Sequence, residues 1–356
     1  MRQFHDLKVA RLLDETADSR RIAFAVPAEL RDTFRFLPGQ HLPIQIEIDG
    51  KRIRRTYSIC SAPGVEPLEI GVRIQPGGQF SGFASETLRE GDTLQVMPPF
   101  GQFHANLDPE NEKTYLAFAA GSGITPILSI LRATLEQEPQ SRIVLFYGNR
   151  RQRTTMFIDD LYALKNRFPE RLQLYFIFSS EEQEFPIFHG RLDSDKVREL
   201  YRTFCVGLQP DEAFVCGPDT MIDTVKAALT EVGMPDDAVH IERYGAPRKN
   251  AQAPAARSDA DAGLAHITVI MDGHRKSFDM PHGGDSIVDA AAQHGIELPF
   301  SCKGGVCATC RTKVVDGEVR MDTNYGLEPW EVDKGFVLAC QSHPVSDNVT
   351  LDYDEA

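Results

Sequence analysis

The sequence lacks any apolar run long enough to cross a bilayer. Its longest apolar stretches, such as Leu172–Phe178, fall far short of the roughly 20 residues that a membrane-spanning helix needs. The first six residues lead directly into polar sequence, without the apolar region of a signal peptide. We therefore expect a soluble, cytoplasmic protein with no membrane partner.

Basic residues are also in short supply. The chain has 38 Lys and Arg against 52 Asp and Glu, a formal net charge of −14. Nucleic acid is therefore not an expected partner, because phosphate binding needs clustered Lys and Arg. Residues 266–356 alone carry 7 basic and 15 acidic residues, a net charge of −8. This last quarter of the chain is separately acidic.

Cysteines are few and unevenly placed. The chain has 7, and in a cytosolic protein these are not expected to form a disulfide framework. Four of them, Cys302, Cys307, Cys310 and Cys340, lie near the C-terminus. Such clustering indicates a metal site.

Three patterns follow one another along the 356 residues. Short apolar or alternating runs separated by turn residues predict a small antiparallel barrel in residues 1–110. A strand, turn and helix rhythm predicts a doubly wound parallel α/β sheet in residues 111–245. A linker follows, assigned to 246–264, because residues 246–262 contain no large apolar residue. A hairpin and a capped helix then open a compact α+β domain in residues 265–356.

The C-terminal cysteines have a diagnostic spacing. Cys302, Cys307 and Cys310, with Cys340 thirty residues later, match the C-x4-C-x2-C…C pattern of a plant-type [2Fe-2S] cluster. Gly304 would let backbone N–H groups approach the cluster without a side-chain clash. The alternative is a structural zinc site, but such sites usually contain two C-x2-C pairs and only one is present.

The predicted barrel contains two short motifs that suit a flavin dinucleotide. Together they supply an arginine for the pyrophosphate, a tyrosine to stack on the ring, a hydroxyl near the flavin N5, and small residues with free N–H groups. The alternative for either motif alone is a core aromatic or a tight turn, and their occurrence in one barrel favours the flavin. The residues are Arg55, Tyr57 and Ser58 in the first motif and Gly77, Gly78, Gln79, Phe80 and Ser81 in the second.

The predicted α/β domain contains two glycine turns that each follow a strand. The first holds Gly121, Gly123, Thr125 and Pro126, with Thr125 predicted as the helix N-cap and Pro126 at the first helical position. Proline stands where a G-x-G-x-x-G fingerprint would have its third glycine. A plain strand-to-helix turn does not account for the second motif, Cys216-Gly217-Pro218. Both turns lie where ligands bind in such sheets.

A basic run follows the second strand of this domain. Asn149 precedes Arg150, Arg151 and Arg153, at the position where the adenine ribose of a dinucleotide would lie. Arginines there suit the 2′-phosphate of NADPH, whereas an acidic residue would suit NADH. The alternative is a solvated basic cap on the next helix, although cations at a helix N-terminus oppose its dipole.

Taken in order, the R-x-Y-S, G-x-G-x-T-P and C-G-P motifs of residues 1–245 resemble those of the ferredoxin-NADP reductase superfamily. The resemblance implies an FAD-binding barrel, an NAD(P)-binding domain and, after the linker, a β-grasp ferredoxin domain. It also implies that Ser58 lies near the flavin N5 and Cys216 near the nicotinamide C4, both assisting hydride transfer by positioning.

Over nearly its whole length the sequence also resembles the reductase components of phenylacetyl-CoA epoxygenases, in segments such as 38–42, 233–236 and 323–329. This resemblance implies FAD, NADPH as the donor, and a di-iron oxygenase complex as the acceptor. Two alternatives stay open. One is the reductase of another oxygenase, acting on ketosteroids or hydroxylating aromatic rings, and the other is a non-enzymatic redox sensor or carrier.

Four further residues have no functional assignment. Arg54 is expected to be a surface charge, Cys60 and Cys205 small buried residues, and Trp330 a packing residue.

Overall fold

The computed structural model describes residues 3–244, 263–327 and 329–355. The chain divides into two compact units, Phe4–Arg243 and a second that contains Tyr244–Ala356. Residues 246–262 of the linker predicted at 246–264 lie outside the described residues. The first described strand after them begins at Leu264, the last residue assigned to that linker.

The first unit begins with an antiparallel sheet that closes into a barrel. Its elements are β1 (His5–Thr16), β2 (Ser19–Ala25), β3 (His41–Ile48), β4 (Lys51–Ser58), β5 (Leu68–Arg73), α1 (Gln79–Glu86) and β6 (Thr93–Val96). The strand order is β4-β3-β6-β1-β2-β5. Leu7 and Val9 are fully buried while Lys8 between them is exposed, the period-two pattern of a strand with one face inside. A bridge between Ile59 and Ile70 joins the two ends of the sheet.

The same unit continues with a parallel sheet. Its elements are β7 (Thr114–Ala120), α2 (Ile124–Gln137), β8 (Arg142–Asn149), α3 (Ile158–Arg167), β9 (Leu172–Phe178), α4 (Ser194–Phe204), β10 (Glu212–Cys216), α5 (Asp219–Glu231) and β11 (Val239–Glu242). The strand order is β11-β10-β7-β8-β9. Tyr115 and Ala117 of β7 pack with α2 and α3, whereas Leu116 and Phe118 pack with α4 and α5. Helices therefore cover both faces, as a doubly wound sheet requires.

The second unit holds a smaller mixed sheet. Its elements are β12 (Leu264–Met271), β13 (His274–Pro281), α6 (Ile287–Gln293), β14 (Arg311–Asp316), β15 (Val319–Met321), α7 (Pro329–Asp333), β16 (Phe336–Leu338), β17 (Ser342–Pro344) and β18 (Asn348–Asp352). The main sheet has the order β13-β12-β18-β14-β16, with β12 and β18 parallel. The predicted hairpin is β12 and β13. Ser286 caps α6 by accepting the N–H of Asp289 at 3.3 Å, as its sequence position predicts.

The three sheets confirm the predicted fold class: an antiparallel barrel, a doubly wound α/β domain and an α+β domain with a mixed sheet and one main helix. The exact domain boundaries stay a prediction. Within the described part of the chain, no helix is both long and apolar enough to cross a membrane.

Candidate functional site

The two barrel motifs predicted to hold a flavin are in direct contact. The Arg55 guanidinium donates a hydrogen bond to the Gln79 side chain at 3.2 Å, and the ring of Tyr57 packs on Phe80 with 4.9 Å between centroids. Burial raises the pKa of Tyr57, so its phenol stays neutral and suited to stack on another ring. The antiparallel barrel thus joins residues that lie more than twenty positions apart in the chain.

The second of these motifs opens the helix α1. Gly78 is the N-cap residue and supplies no side-chain cap, so the first N–H groups of the helix are free to bind an anion. Gly77 has φ +71°, a left-handed conformation that favours glycine. A β-carbon at Gly78 would lie 2.3 Å from the Ser81 hydroxyl oxygen. The tight turn and the uncapped helix end together fit the phosphates of a dinucleotide beside Arg55.

The two glycine turns of the α/β domain also touch each other. Gly123 comes so close to the end of β10 that a β-carbon there would lie 2.1 Å from the carbonyl oxygen of Cys216. Gly217 is similarly confined, since its β-carbon would lie 2.7 Å from the Met221 methyl group and 3.2 Å from Ala120. Pro218 then caps α5. The carboxyl ends of β7 and β10 are therefore in direct backbone contact, at the edge of the sheet where the cleft of a dinucleotide site is expected.

The helix after the first turn begins earlier than predicted. α2 starts at Ile124 with Gly123 as its N-cap, so the prediction of Thr125 as N-cap and Pro126 at the first position was wrong. A short 3-10 turn at Gly121–Gly123 leads straight into the helix and takes up those positions. The Thr125 hydroxyl instead donates to the carbonyl of Ser122 at 2.9 Å. Proline is tolerated in this first helical turn because its missing N–H has no partner there anyway.

Ser58 lies next to a carboxylate that the sequence analysis missed. Its hydroxyl donates to Glu242 at 3.0 Å, and the other oxygen of Glu242 is 3.4 Å from His41 Nδ1. All three side chains are nearly buried. Glu242 ends β11 and pairs in register with Cys216 at the end of β10. The rule that ligands bind at the carboxyl ends of parallel strands would have found Glu242, whereas His41 carries no such signal.

An open cavity of about 560 Å³ lies beside the predicted basic run. Arg151 and Arg153 of that run line it, together with Gln152, Ser180 and Glu181, which the sequence did not indicate, while Arg150 is not among the lining residues. Asn149 ends β8 and is nearly buried. Arg151 is the N-cap residue of a short 3-10 turn at Gln152–Thr154, and α3 begins at Ile158. The three arginines are exposed, so the solvated-cap alternative stays open.

The cysteine loop of the second unit is folded around its sulfur atoms. The N–H groups of Gly304 and Cys307 donate to Cys302 Sγ at 3.3 and 3.4 Å. A hydrogen bond from the Cys307 thiol and these N–H groups lower the pKa of Cys302 to about 5, which favours the thiolate that binds iron. Lys303 and Ala308 both have positive φ, 52° and 49°. Such conformations cost energy in residues other than glycine and are typical of functional loops.

The four cysteines associate in two pairs. Cys302 and Cys307 influence one another's pKa through a direct side-chain hydrogen bond, and so do Cys310 and Cys340. Within the described residues, no three Cys, His, Asp or Glu side chains converge as ligands of a single metal ion. Two thiolates for each of two irons fit this arrangement, whereas a tetrahedral zinc would need all four around one point.

Two of the residues without a functional assignment differ from expectation. Arg54 is only 8% exposed and its Nε donates to Gln45 at 2.6 Å, so the prediction of a surface charge was wrong. Trp330 is 51% exposed rather than packed. The expected burial of Cys60 and Cys205 is confirmed.

Three protein-family models match the chain in the predicted order. An oxidoreductase FAD-binding domain covers residues 6–105, an oxidoreductase NAD-binding domain covers 118–227, and a 2Fe-2S iron-sulfur cluster binding domain covers 269–345. These matches extend over most of the chain, and each lies on one of the three sheets.

Curated relatives match from end to end. One subunit of the 1,2-phenylacetyl-CoA epoxidase of Escherichia coli (strain K12) is 43% identical over 355 residues, 99% of both chains. The ferredoxin reductase component of the 3-ketosteroid-9-alpha-monooxygenase of Rhodococcus rhodochrous is 35% identical over 98% of this chain and 96% of the relative. This chain belongs to the oxygenase reductase family. Among solved structures, phthalate dioxygenase reductase shares the fold, with a TM-score of 0.59 at 23% identity over 98% of each chain.

As a member of the oxygenase reductase family, the chain is an oxidoreductase that moves electrons from NAD(P)H through FAD and a [2Fe-2S] cluster. Membership rejects the zinc alternative for the cysteine loop and the interpretation of the chain as a non-enzymatic sensor. The individual flavin, nicotinamide and iron ligands stay predictions that the geometry described above supports.

Proposed function

We propose that this chain takes electrons from NADPH and delivers them to the oxygenase component of a phenylacetyl-CoA epoxidase, a di-iron enzyme. The observation that carries the proposal is the 43% identity with a subunit of such an epoxidase over 99% of both chains. A match of that length includes the acidic cluster-bearing unit, which is the part that must recognise the acceptor. The reaction is proposed to take place in the cytoplasm.

NADPH rather than NADH is proposed because of the cavity at residues 151–153. Arg151, Arg153 and Ser180 line it, and guanidinium and hydroxyl groups suit a phosphate monoester. Glu181 also lines the cavity, but its carboxylate accepts the N–H of Gln152 at 2.9 Å. That hydrogen bond engages one of its two oxygens. Arg151 and Arg153 are the residues proposed to meet the 2′-phosphate.

The residues of the chain contribute position and proton control to hydride transfer. Tyr57 and Arg55 would hold the flavin ring and pyrophosphate, and the sheet edge where Gly123 meets Cys216 would bring the nicotinamide against that ring. Ser58 donates a hydrogen bond to Glu242, so toward a flavin N–H its oxygen would act as an acceptor. Glu242 would hold that hydroxyl in one orientation.

The bound cofactors supply the redox chemistry: the flavin accepts a hydride and the cluster passes electrons on singly. The chain matches this division, since it places the flavin motifs and the cysteine loop on different compact units. Around the cysteines, the N–H donors of Gly304 and Cys307 would stabilise negative charge on sulfur when the cluster gains an electron.

The proposal is tested by reconstitution. Purified holoprotein is combined with the oxygenase subunits of a phenylacetyl-CoA epoxidase, NADPH and phenylacetyl-CoA, and epoxide formation is measured per NADPH consumed. Coupled turnover that is faster with NADPH than with NADH supports the proposal. NADPH oxidation without epoxide would contradict the acceptor assignment, and faster turnover with NADH would contradict the donor assignment.

A second candidate acceptor is a ketosteroid monooxygenase, because its reductase component is 35% identical over 98% of this chain. The same reconstitution with the oxygenase of that system and a 3-ketosteroid provides the comparison. Faster product formation there than with phenylacetyl-CoA would favour this candidate.

A further inference from the structure

One face of helix α2 binds the barrel segment that follows the proposed flavin strand. Ser129, fully buried, donates its hydroxyl hydrogen to the carbonyl of Ser61 at 2.7 Å. Arg132 lies three positions later, on the same face of the helix, and donates to the carbonyl of Cys60, also at 2.7 Å. Cys60 and Ser61 come two and three residues after Ser58. The helix that starts at the nicotinamide turn therefore holds the chain just beyond the flavin strand.

The bound segment is fixed from its other side as well. The N–H of Cys60 donates to the carbonyl of Glu69 on β5 at 2.9 Å, and the Ser61 hydroxyl accepts the N–H of Glu69 at 3.1 Å. Residues 60 and 61 are thus held between β5 and α2. Movement of α2 relative to the barrel must either carry this segment along or break the two hydrogen bonds from Ser129 and Arg132.

A network of charges holds Arg132 in place. Arg132 pairs with Asp160 of α3, and Asp160 also pairs with Arg21 of β2. Arg21 forms a further ion pair with Glu15 of β1 at 2.6 Å, and the carboxylate of Glu69 lies 4.0 Å from Arg132 and 3.8 Å from Arg21. The five side chains are each 11–19% exposed. Charges this sheltered are screened much less than surface pairs.

The Arg21 guanidinium of this network stays charged. Burial of Arg21 opposes its charge, but the hydrogen bonds and charges of Asp160 and Glu15 outweigh burial and raise the pKa of the guanidinium. Removing one partner would leave an uncompensated buried charge, which is strongly destabilising. The arrangement of the barrel strands β1, β2 and β5 against α2 and α3 is therefore held by groups that cannot easily exchange partners.

There is no free space for α2 to shift toward the barrel. A β-carbon at Gly71 of β5 would lie 2.7 Å from the Thr125 methyl group and 2.8 Å from the Phe157 ring, so backbone and side chains already meet closely at the start of the helix. Ser129 is six residues after Gly123, which is roughly 9 Å along a helix axis. One short rigid segment therefore connects the glycine turn to the end of the flavin strand.

We propose that Arg132 and Ser129 are positioning residues for hydride transfer, which fix the separation of the nicotinamide turn from the flavin strand by holding the carbonyls of Cys60 and Ser61. The inference rests on the proposed flavin site at Arg55–Ser58 and the proposed nicotinamide site at Gly121–Thr125. On this inference the network affects the rate of hydride transfer as well as the stability of the fold. The reason is that hydride transfer is sensitive to displacements of about 1 Å.

The test uses the full-length holoprotein and the variants Arg132→Met and Ser129→Ala. Arg171→Met is the matched control. Arg171 also donates to main-chain carbonyls near the end of α2, namely those of Leu135, Glu138 and Ser141. These carbonyls belong to the α/β domain, so the control leaves the contact with the barrel intact. Anaerobic stopped-flow absorbance gives the limiting rate of flavin reduction and the apparent Kd of the nicotinamide donor. Hydrogen exchange of peptides covering residues 59–70 reports on the bound segment independently of activity.

In Arg132→Met we expect the limiting rate to fall about tenfold or more, with the donor Kd within about threefold of wild type. Ser129→Ala should show a smaller loss of the same kind. Exchange at residues 59–70 should quicken in both variants. Arg171→Met should lower the unfolding temperature while keeping the limiting rate and this exchange pattern.

A wild-type limiting rate in folded Arg132→Met and Ser129→Ala would overturn the inference, and so would an equal loss of rate in Arg171→Met. Should Arg132→Met fail to fold, Ser129→Ala and Arg132→Lys decide, because lysine keeps the charge but cannot bond Cys60 and Asp160 together as the guanidinium fork does. A wrong flavin-site assignment gives a different result: Ser58→Ala would then reduce its flavin at the wild-type rate.

Discussion

Gly123→Ala tests the proposed nicotinamide cleft through a single methyl group. The new β-carbon would lie 2.1 Å from the carbonyl oxygen of Cys216, 2.5 Å from its carbonyl carbon and 2.8 Å from the amide nitrogen of Gly217. All three atoms belong to the backbone, so no side chain can rotate away. Real β-carbons do not approach other atoms closer than 3.0 Å. The two turns must therefore separate by about 0.9 Å, the difference between 3.0 and 2.1 Å.

That separation sets the expected size of the effect. A misplacement of about 1 Å in a site that depends on alignment costs roughly 100-fold in rate. Overpacking of this kind also destabilises a protein by about 1 to 3 kcal/mol. We expect Gly123→Ala to fold, to keep its flavin in the Arg55–Ser58 motif of the barrel, and to reduce that flavin at about one hundredth of the wild-type limiting rate.

The assay is anaerobic mixing with NADPH, followed at the flavin absorbance band, beside a thermal melt. Gly82→Ala is the matched control, because Gly82 lies in α1 and its β-carbon would meet nothing within 4 Å. The control should reduce at the wild-type rate and gain about 0.5 to 1 kcal/mol of stability from the better helix propensity of alanine. Gly123→Ala with wild-type rate and donor affinity would refute the proposed cleft.

Four further outcomes are expected. Cys307→Ser should lose the cluster absorbance while flavin reduction by NADPH continues, since oxygen replaces sulfur poorly on iron; turnover of the partner oxygenase at the wild-type rate would refute the linear path. Arg153→Ala should raise the KM for NADPH roughly 10- to 150-fold, because a charge-assisted contact contributes about 1.5 to 3 kcal/mol. The KM for NADH should stay nearly unchanged, and the control Arg150→Ala should raise the KM for NADPH less. Ser58→Ala should slow flavin reduction with the cluster spectrum intact. Glu242→Gln should slow flavin reduction less, because the amide oxygen can still accept the serine hydrogen bond. Equal rates in wild type and both variants would exclude this pair from the reaction. Electron delivery to the oxygenase should slow as salt rises toward about 0.5 M, where the screening length is a few ångströms, and a flat profile would show that the acidic unit does not steer docking.

Features set by neighbouring residues could be predicted from the sequence. The spacing of Cys302, Cys307 and Cys310 is fixed by the covalent chain, so it identified a binuclear iron site before any folding was considered. The glycine turns, the caps such as Ser286 and the change from strand repeats to strand-helix repeats are also local. Together they gave the three domain types and their order, which the sheets confirm.

Contacts between distant segments were decided only by the tertiary structure. Ser58 and Glu242 are 184 positions apart, and no local pattern pairs them. The approach of Gly123 to Cys216 also joins distant segments. The charge of Arg54 predicted a position on the surface, but the residue is buried and donates a hydrogen bond to Gln45 on the neighbouring strand. The physical reason is that spacing along a chain fixes distances within a turn or a strand, whereas the packing of one sheet against another determines which ends of different strands meet.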